Sequence, residues 1–172
     1  MIKSLHTSRL IVRRFAPGDL ADFCAYQADP KVREFQRGDA MSVGQAMSYL
    51  SAQSTIDERK VGAWHGYAVE QKESGTVIGD IGVFLATHFE GDVGSQFHPA
   101  YHRQGYGYEA ASAFLTYLFE DLGLRRVTAG CDQANTASRA LLTRLGAQQR
   151  KPSGTRADCS FELVRAEWLA GR

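Results

Sequence analysis

One segment limits the architectures open to this chain. From Asp92 to Cys131 it reads as a strand, a loop with two glycines, a helix and a second strand. Ala111, Phe114, Leu115, Leu118 and Leu122 recur at helical spacing, giving the helix one apolar stripe to bury, and Gly123 follows as a C′ stop. Strand, covering helix and strand in this order predict a parallel pair with a right-handed crossover. Where the loop turns helical stand Gly105 and Gly107, in G-Y-G-Y-E-A. The first N–H groups of a helix lack intrahelical acceptors and carry partial positive charge, so such a start suits an anion. Glycines there let a phosphate approach the backbone closely.

The flanking sequence says what surrounds that unit. Leu10 to Phe15 reads as a first strand. Pro17-Gly18-Asp19 opens a helix with Leu20, Phe23, Cys24 and Gln27 inward, and Asp29-Pro30 ends it. Ser42 to Gln45 has capping-box form, predicting a helix to about Gln53 with Val43, Met47 and Leu50 inward and a loop at Gly38-Asp39 before it. Gly66–Glu70 and Thr76–Leu85 form an antiparallel hairpin across Lys72–Gly75. Asp92 to His98 is the next strand, in which Gly94 marks a bulge or a close backbone approach. After the central helix come a strand at Arg126–Cys131, a helix from Asn135 with Leu141, Leu142 and Leu145 closed by Gly146, a loop at Lys151–Gly154, and a strand at Cys159–Val164. The order β-α-α-β-β-β-α-β-α-β predicts an α+β fold with a mixed, mostly antiparallel central sheet flanked by helices. No repeat or linker divides residues 1–172, so they read as one domain.

Composition removes several function classes. A net charge of +1 gives no strong pull toward nucleic acid or an anionic membrane, and no window approaches the apolar length of a membrane span. The N-terminus has no apolar h-region. Cys24, Cys131 and Cys159 are odd in number with no C-x-x-C pair, which gives neither a disulfide framework nor a zinc signature. Reduced thiols in a cytoplasmic protein are the expectation.

G-Y-G-Y-E-A also matches the dinucleotide fingerprint G-x-G-x-x-[GA]. That fingerprint follows its strand directly, whereas Pro99 to Gln104 intervene here, and too little chain precedes Gly105 for a doubly wound sheet. No P-loop sequence occurs. Taken alone, the glycines could equally serve only the turn.

Two stretches, V-G-S-Q-F-H-P-A-Y-H-R-Q-G-Y-G-Y-E-A and N-T-A-S-R-A-L-L-T-R-L-G, resemble the GNAT superfamily of acetyl-CoA-dependent N-acetyltransferases. The opening T-S-R-L-I-V-R-R-F and the closing F-E-L-V-R-A-E-W resemble its branch named for ribosomal-protein N-terminal acetyltransferases, the RimJ/RimL type. Four separated motifs, in order, cover nearly the whole chain. The resemblance implies acetyl-CoA as co-substrate, its pyrophosphate held by backbone N–H groups of Arg103, Gln104, Gly105, Tyr106, Gly107 and Tyr108. It implies that the main chain near Phe97 and His98, on a strand splayed by a bulge, pairs with the pantetheine arm, and that Asn135 and Ser138 lie near the leaving sulfur.

The chain departs from the superfamily at three positions: His102 replaces a Gln or Arg, Ala147 a Phe, and Leu142 the tyrosine proposed as general acid. With Leu142 unable to donate, Ser138 is the acid candidate, although Asn135 as N-cap with Ser138 one turn on would serve the helix alone. Asp92, at the head of its strand, is the base candidate, with Glu90, Asp80 and His88 as alternatives. His65, His98 and Tyr101 are available to line the site. The acceptor surface falls to the N-terminal helices and the 86–91 loop, with Arg33, Glu34, Phe35, Trp64 and Tyr67 as the residues at hand. The expected acceptor is a protein N-terminal α-amine, with a small-molecule amine as the alternative, in a monomer or homodimer. The competing classes are a non-catalytic acyl-CoA sensor and a nucleotide-binding oxidoreductase.

Overall fold

The computed structural model describes residues 4–151 and 158–172. Strands β1 (Leu5–His6), β2 (Leu10–Arg13), β3 (Ala63–Gln71), β4 (Val77–Leu85) and β5 (Glu90–Phe97) each lie antiparallel to the next. β6 (Arg126–Asp132) runs parallel to β5, and β7 (Gln148–Arg150) and β8 (Asp158–Val164) complete the sheet in the order β1-β2-β3-β4-β5-β6-β8-β7. The architecture is the expected α+β one, a mixed, mostly antiparallel open sheet flanked by helices.

Two layers of helix use the two faces. On one, α1 (Leu20–Gln27), the short α2 (Pro30–Arg33) and α3 (Val43–Thr55) enclose Phe15, Phe23, Tyr26 and Leu50 with Ala68 and Val77 of the sheet. On the other, α4 (Tyr106–Thr116) runs into a π turn at Tyr117–Asp121, and its stripe of Ala111, Phe114, Leu115, Leu118 and Leu122 lies in the larger core with Tyr67, Val69, Ile81 and Val83. α5 (Thr136–Arg144) packs beside α4 over β6, and α6 (Arg165–Ala170) ends the chain with Trp168 buried. Gly123 and Gly146, at φ +82° and +86°, stop their helices as expected. Among the described residues, no helix is long and apolar enough to cross a membrane.

Three expectations need correction. The capping box of α3 forms, with Ser42 Oγ accepting from the Gln45 N–H at 3.2 Å and Gln45 Oε1 from the Ser42 N–H at 2.9 Å. Its buried face, however, is Ala46, Leu50 and Gln53, while Val43 and Met47 are 61% and 57% exposed. Gln53 turns the helix: β3 extends beyond β2, and the Gln53 amide satisfies that bare edge, accepting from the Gly66 N–H at 2.7 Å and donating to the Trp64 carbonyl at 3.2 Å. Second, β4 pairs with β5 without a register shift from Gly79↔Phe97 to Leu85↔Gly91, so Gly94 is no bulge. The irregularity lies between Val69 and Glu70 of β3. Third, β1, α2, β7 and α6 are additions to the expected order. Residues 152–154 of the expected loop lie outside the described residues.

Candidate functional site

β5 and β6 pair only from Glu90↔Arg126 to Asp92↔Thr128 and then part. The wedge between them, not a bulge, splays the strand. The His98 N–H donates to the Ile78 carbonyl at 2.8 Å, so it is committed to β4 and does not face the opening. Since backbone groups alternate sides along an antiparallel strand, the Val93 C=O and the N–H and C=O of Ser95 and Phe97 face the wedge, the Val93 N–H belonging to the last rung with β6. A cavity of about 120 Å³ occupies it, lined by Ser95, Gly130, Cys131, Asn135, Ser138 and Leu142 among others, with Phe35 from the segment after α2 at its side.

The wedge leads to the glycine loop. After a single turn at Pro99–Tyr101, the His102 imidazole Nε2 lies 2.7 Å from the Phe97 carbonyl and covers it. Arg103 and Gly105 both adopt left-handed backbone, φ +59° and +83°. The first helical bond is from the Glu109 N–H to the Gly105 carbonyl at 3.1 Å; from Arg103 to Tyr108, no backbone N–H donates to another described residue. Six consecutive donors are therefore gathered at one helix start. A β-carbon on Gly107 would stand 3.6 Å from Leu141 and 3.8 Å from the Phe97 ring, so this glycine joins the loop to the wedge. Tyr106 serves the fold with its side chain: the ring is buried and its hydroxyl accepts from Gln71 at 2.7 Å. Tyr108 carries the Arg144 guanidinium 3.9 Å above its ring, and the Gln104 side chain donates to the Ala100 carbonyl at 2.9 Å.

Asn135 caps α5, its Oδ1 accepting from the Ser138 N–H at 3.1 Å. Both residues nevertheless line the wedge, so the capping role and a site role coexist. Burial pushes the neighbouring Cys131 thiol up, more than its hydrogen bond with Ser138 lowers it. Asp92 sits on the last rung before the strands part, and Thr128 Oγ1 donates to it at 2.7 Å. Although Asp92 is exposed, desolvation by the surrounding protein raises its carboxyl, outweighing the Thr128 bond and the charge of Arg37. Of the alternatives, Glu90 is in an ion pair with Arg126 at 3.3 Å, His88 is exposed on the 86–89 turn, and Asp80 is sealed beneath Tyr26 and Gln96. His65 is fully buried, with Nε2 2.8 Å from the Lys60 carbonyl. His98 and Tyr101 pack edge to face beside the loop.

The acceptor residues divide by face. Trp64 lies on the α1/α3 face, its Nε1–H donating to Tyr49 Oη at 3.0 Å. Glu34 is exposed, and Arg33 donates to the Arg37 carbonyl at 3.5 Å. Tyr67 needs correction: it is 3% exposed and packs against Phe114 and Tyr117 on the opposite face, within the core. Residues not singled out from the sequence also stand here. Arg9 grips the loop, Thr128 holds Asp92, Cys131 lines the wedge, and Phe84 stands between Trp64 and Asp92. Only Arg9, within T-S-R-L, belonged to a motif that could have flagged it.

A family profile described as an acetyltransferase (GNAT) domain matches residues 9–148. The chain is 30% identical over 152 residues to the uncharacterized N-acetyltransferase YoaA of Bacillus subtilis (strain 168), covering 87% of this chain and 85% of that protein. A GNAT-family acetyltransferase structure from Bacillus anthracis superposes with a TM-score of 0.82 at 20% identity, over 95% of this chain and 99% of that one, a likeness of fold. A Vibrio cholerae structure described as a ribosomal-protein-serine acetyltransferase gives a TM-score of 0.75 at 25% identity, over 94% and 97% of the two chains.

Proposed function

The chain belongs to the GNAT acetyltransferase family, and from that premise we propose that it moves the acetyl group of acetyl-CoA to a primary amine, most fittingly a protein N-terminal α-amine, with residues 1–172 acting as one catalytic domain. One observation carries the reading: the six backbone N–H groups from Arg103 to Tyr108, none of which donates to another described residue, lie at the helix start that follows a strand edge parted from its neighbour. The donors fit a pyrophosphate. The Val93–Phe97 edge fits the two amides of a pantetheine arm, which would displace His102 from the Phe97 carbonyl.

The reaction is direct acyl transfer. The neutral amine nitrogen attacks the thioester carbonyl, a tetrahedral oxyanion forms, the C–S bond breaks, and the sulfur leaves with a proton. Asp92, directly or through one water, takes the proton that the amine loses. Ser138 is the donor toward the sulfur. Little base strength is required for an α-amine: with a pKa near ~7.8 it is about one-seventh neutral at pH 7, against about one part in 2,500 for a lysine near ~10.4. A partly desolvated carboxylate matches that modest demand. The terminal motifs of the RimJ/RimL type and the Vibrio cholerae neighbour favour a peptide acceptor. A small-molecule amine is the second reading, since the open α1/α3 face would also admit one.

The test is thiol release with acetyl-CoA across a panel of N-terminal peptides and small amines, beside thermal shifts with acetyl-CoA and NAD(P). Stabilisation by acetyl-CoA alone, with turnover on peptides, upholds the reading. No turnover on any amine would return the chain to an acyl-CoA sensor.

A further inference from the structure

β4 lies between β3 and β5, and all but one of its residues are buried. The exception is an aromatic one, Phe84, which is 41% exposed. A lone exposed ring is ordinary on a protein surface; what sets Phe84 apart is its neighbour in the register. Trp64↔Phe84, Phe84↔Asp92 and Asp92↔Thr128 are successive cross-strand partners, so four side chains form one row on the α1/α3 face, across β3, β4, β5 and β6. Directly opposite residues hold their β-carbons about 4.5–5.5 Å apart. The Phe84 ring is therefore the apolar surface next to an amine held at the Asp92 carboxylate.

The neighbouring row seats the second ring. Gly66↔Gly82↔Gly94 are likewise cross-strand partners, giving a strip with no side chains of its own. The Trp64 indole lies over it: a β-carbon on Gly94 would be 3.4 Å from Trp64 Cη2, and one on Gly82 would fall within the ring. Tyr49 Oη pins the indole nitrogen at 3.0 Å. On the same face Glu90 and Glu162 are each paired with Arg126 and Asp80 is sealed away, so the surface offers, beside two aromatic rings, one carboxylate outside those pairs, with the Arg37 charge acting on it. A polycation would want several carboxylates, whereas a single amine next to an apolar side chain matches what is present.

We propose that Phe84, backed by Trp64, is the specificity-determining surface for the acceptor, selecting an α-amine whose first side chain is apolar. This rests on Asp92 being the amine-side carboxylate.

The test measures KM and kcat for tripeptides differing only in the first residue (Leu, Phe, Ala, Ser) and for spermidine, with wild-type protein, Phe84→Ala, Phe84→Leu and Asp92→Asn. Phe84→Ala should raise KM for the Leu and Phe peptides on the order of tenfold, leave the Ser peptide and acetyl-CoA within twofold, and be largely rescued in Phe84→Leu. A uniform change across acceptors, or none, overturns the inference, as does a shift from dimer to monomer in Phe84→Ala without selective KM loss. Asp92→Asn is read separately: lost kcat on every acceptor upholds the underlying reading, and unchanged kcat sinks it whatever Phe84 does.

Discussion

The Arg9 guanidinium and the Glu109 carboxylate, a hundred residues apart in sequence, meet at 2.7 Å beside the glycine loop. Arg9 also donates from Nη1 to the Gln104 carbonyl at 2.9 Å, and lies 4.1 Å over the Tyr106 ring. One planar fork thus ties the loop's carbonyl side to the first turn of α4, leaving the N–H side open. Arg9→Ala should raise KM for acetyl-CoA on the order of tenfold, since a hydrogen bond to a charged group is worth about 1.5–3 kcal/mol, while saturated kcat falls less. Arg9→Lys, keeping the charge without the fork, should recover only part. Wild-type KM in Arg9→Ala would show that the loop holds itself.

The same pair has an acid dependence. Burial pushes the Glu109 carboxyl up, but bonds from Thr7 and Arg9 together outweigh it and hold it below its ordinary value. A depressed carboxylate contributes stability above its unfolded titration, lost as pH falls through its folded one. Arg9 is 42% exposed, so the contribution is small, below about 1 kcal/mol. Glu109→Gln should narrow the gap to wild type as thermal unfolding is followed from pH 7 to pH 3; a constant gap would place its cost elsewhere.

Gly105 and Gly107 should answer alanine differently. Gly105 has φ +83°, and a β-carbon there would lie 3.3 Å from Arg9 Nη2. Gly105→Ala should therefore cost about 1–2 kcal/mol in thermal unfolding. Gly107 has ordinary backbone and only van der Waals neighbours, so Gly107→Ala should fold as wild type. Gly107→Glu should also fold and yet lose acetyl-CoA binding by calorimetry, through bulk and like charge. Retained affinity would remove the pyrophosphate from this loop.

Local signals were legible wherever the chain satisfies itself. Ser42 with Gln45, Asn135 with Ser138, and Gly123 and Gly146 at their helix ends could all be read from neighbouring residues. Partners distant in sequence could not. Val43 and Met47 look inward by hydropathy, yet the rotation of α3 is set by Gln53 reaching the bare backbone of β3. Gly94 reads as a bulge until Gly66 and Gly82 are seen beside it as one row. Trp64 and Tyr67 fall on opposite faces because β3 begins at Ala63 rather than at Gly66, which puts both on one strand three residues apart. Neither that extension nor the Arg9–Glu109 contact is written in neighbouring residues.

Asp80 gives a second pH dependence of opposite sign. Burial raises its carboxyl to about 6, against the bonds from Tyr26 and Gln96 at 2.7 and 2.9 Å. A raised carboxyl favours the protonated fold, so its contribution is full below the unfolded value and lost as pH rises through about 6. Asp80→Asn can offer an amide oxygen to the same two donors without ionising. Its melting temperature should match wild type only near pH 3.5, below the unfolded value, and exceed it by several degrees at pH 8, with a shift of roughly two pKa units worth about 3 kcal/mol. Turnover should persist. Abolished turnover in a folded Asp80→Asn protein would instead make this buried group the base and displace Asp92.

The glycine row under Trp64 supplies the sharpest packing contrast. A β-carbon on Gly82 would lie 2.6 Å from the His65 carbonyl oxygen and 2.7 Å from Trp64 Cε2. The oxygen is backbone in a central strand and cannot yield without breaking the β3–β4 ladder. On Gly94 the same carbon would meet only Trp64 Cη2, at an ordinary 3.4 Å. Gly82→Ala should thus lower stability by roughly 2–4 kcal/mol in denaturant unfolding, combining overpacking with a disturbed ladder. Gly94→Ala should stay within about 1 kcal/mol of wild type, yet raise KM for peptide acceptors by setting a methyl group against the edge of the Trp64 ring. Equal stabilities of the two variants would mean that both the His65 carbonyl and the Trp64 indole give way, and an indole free to move could not define the acceptor surface.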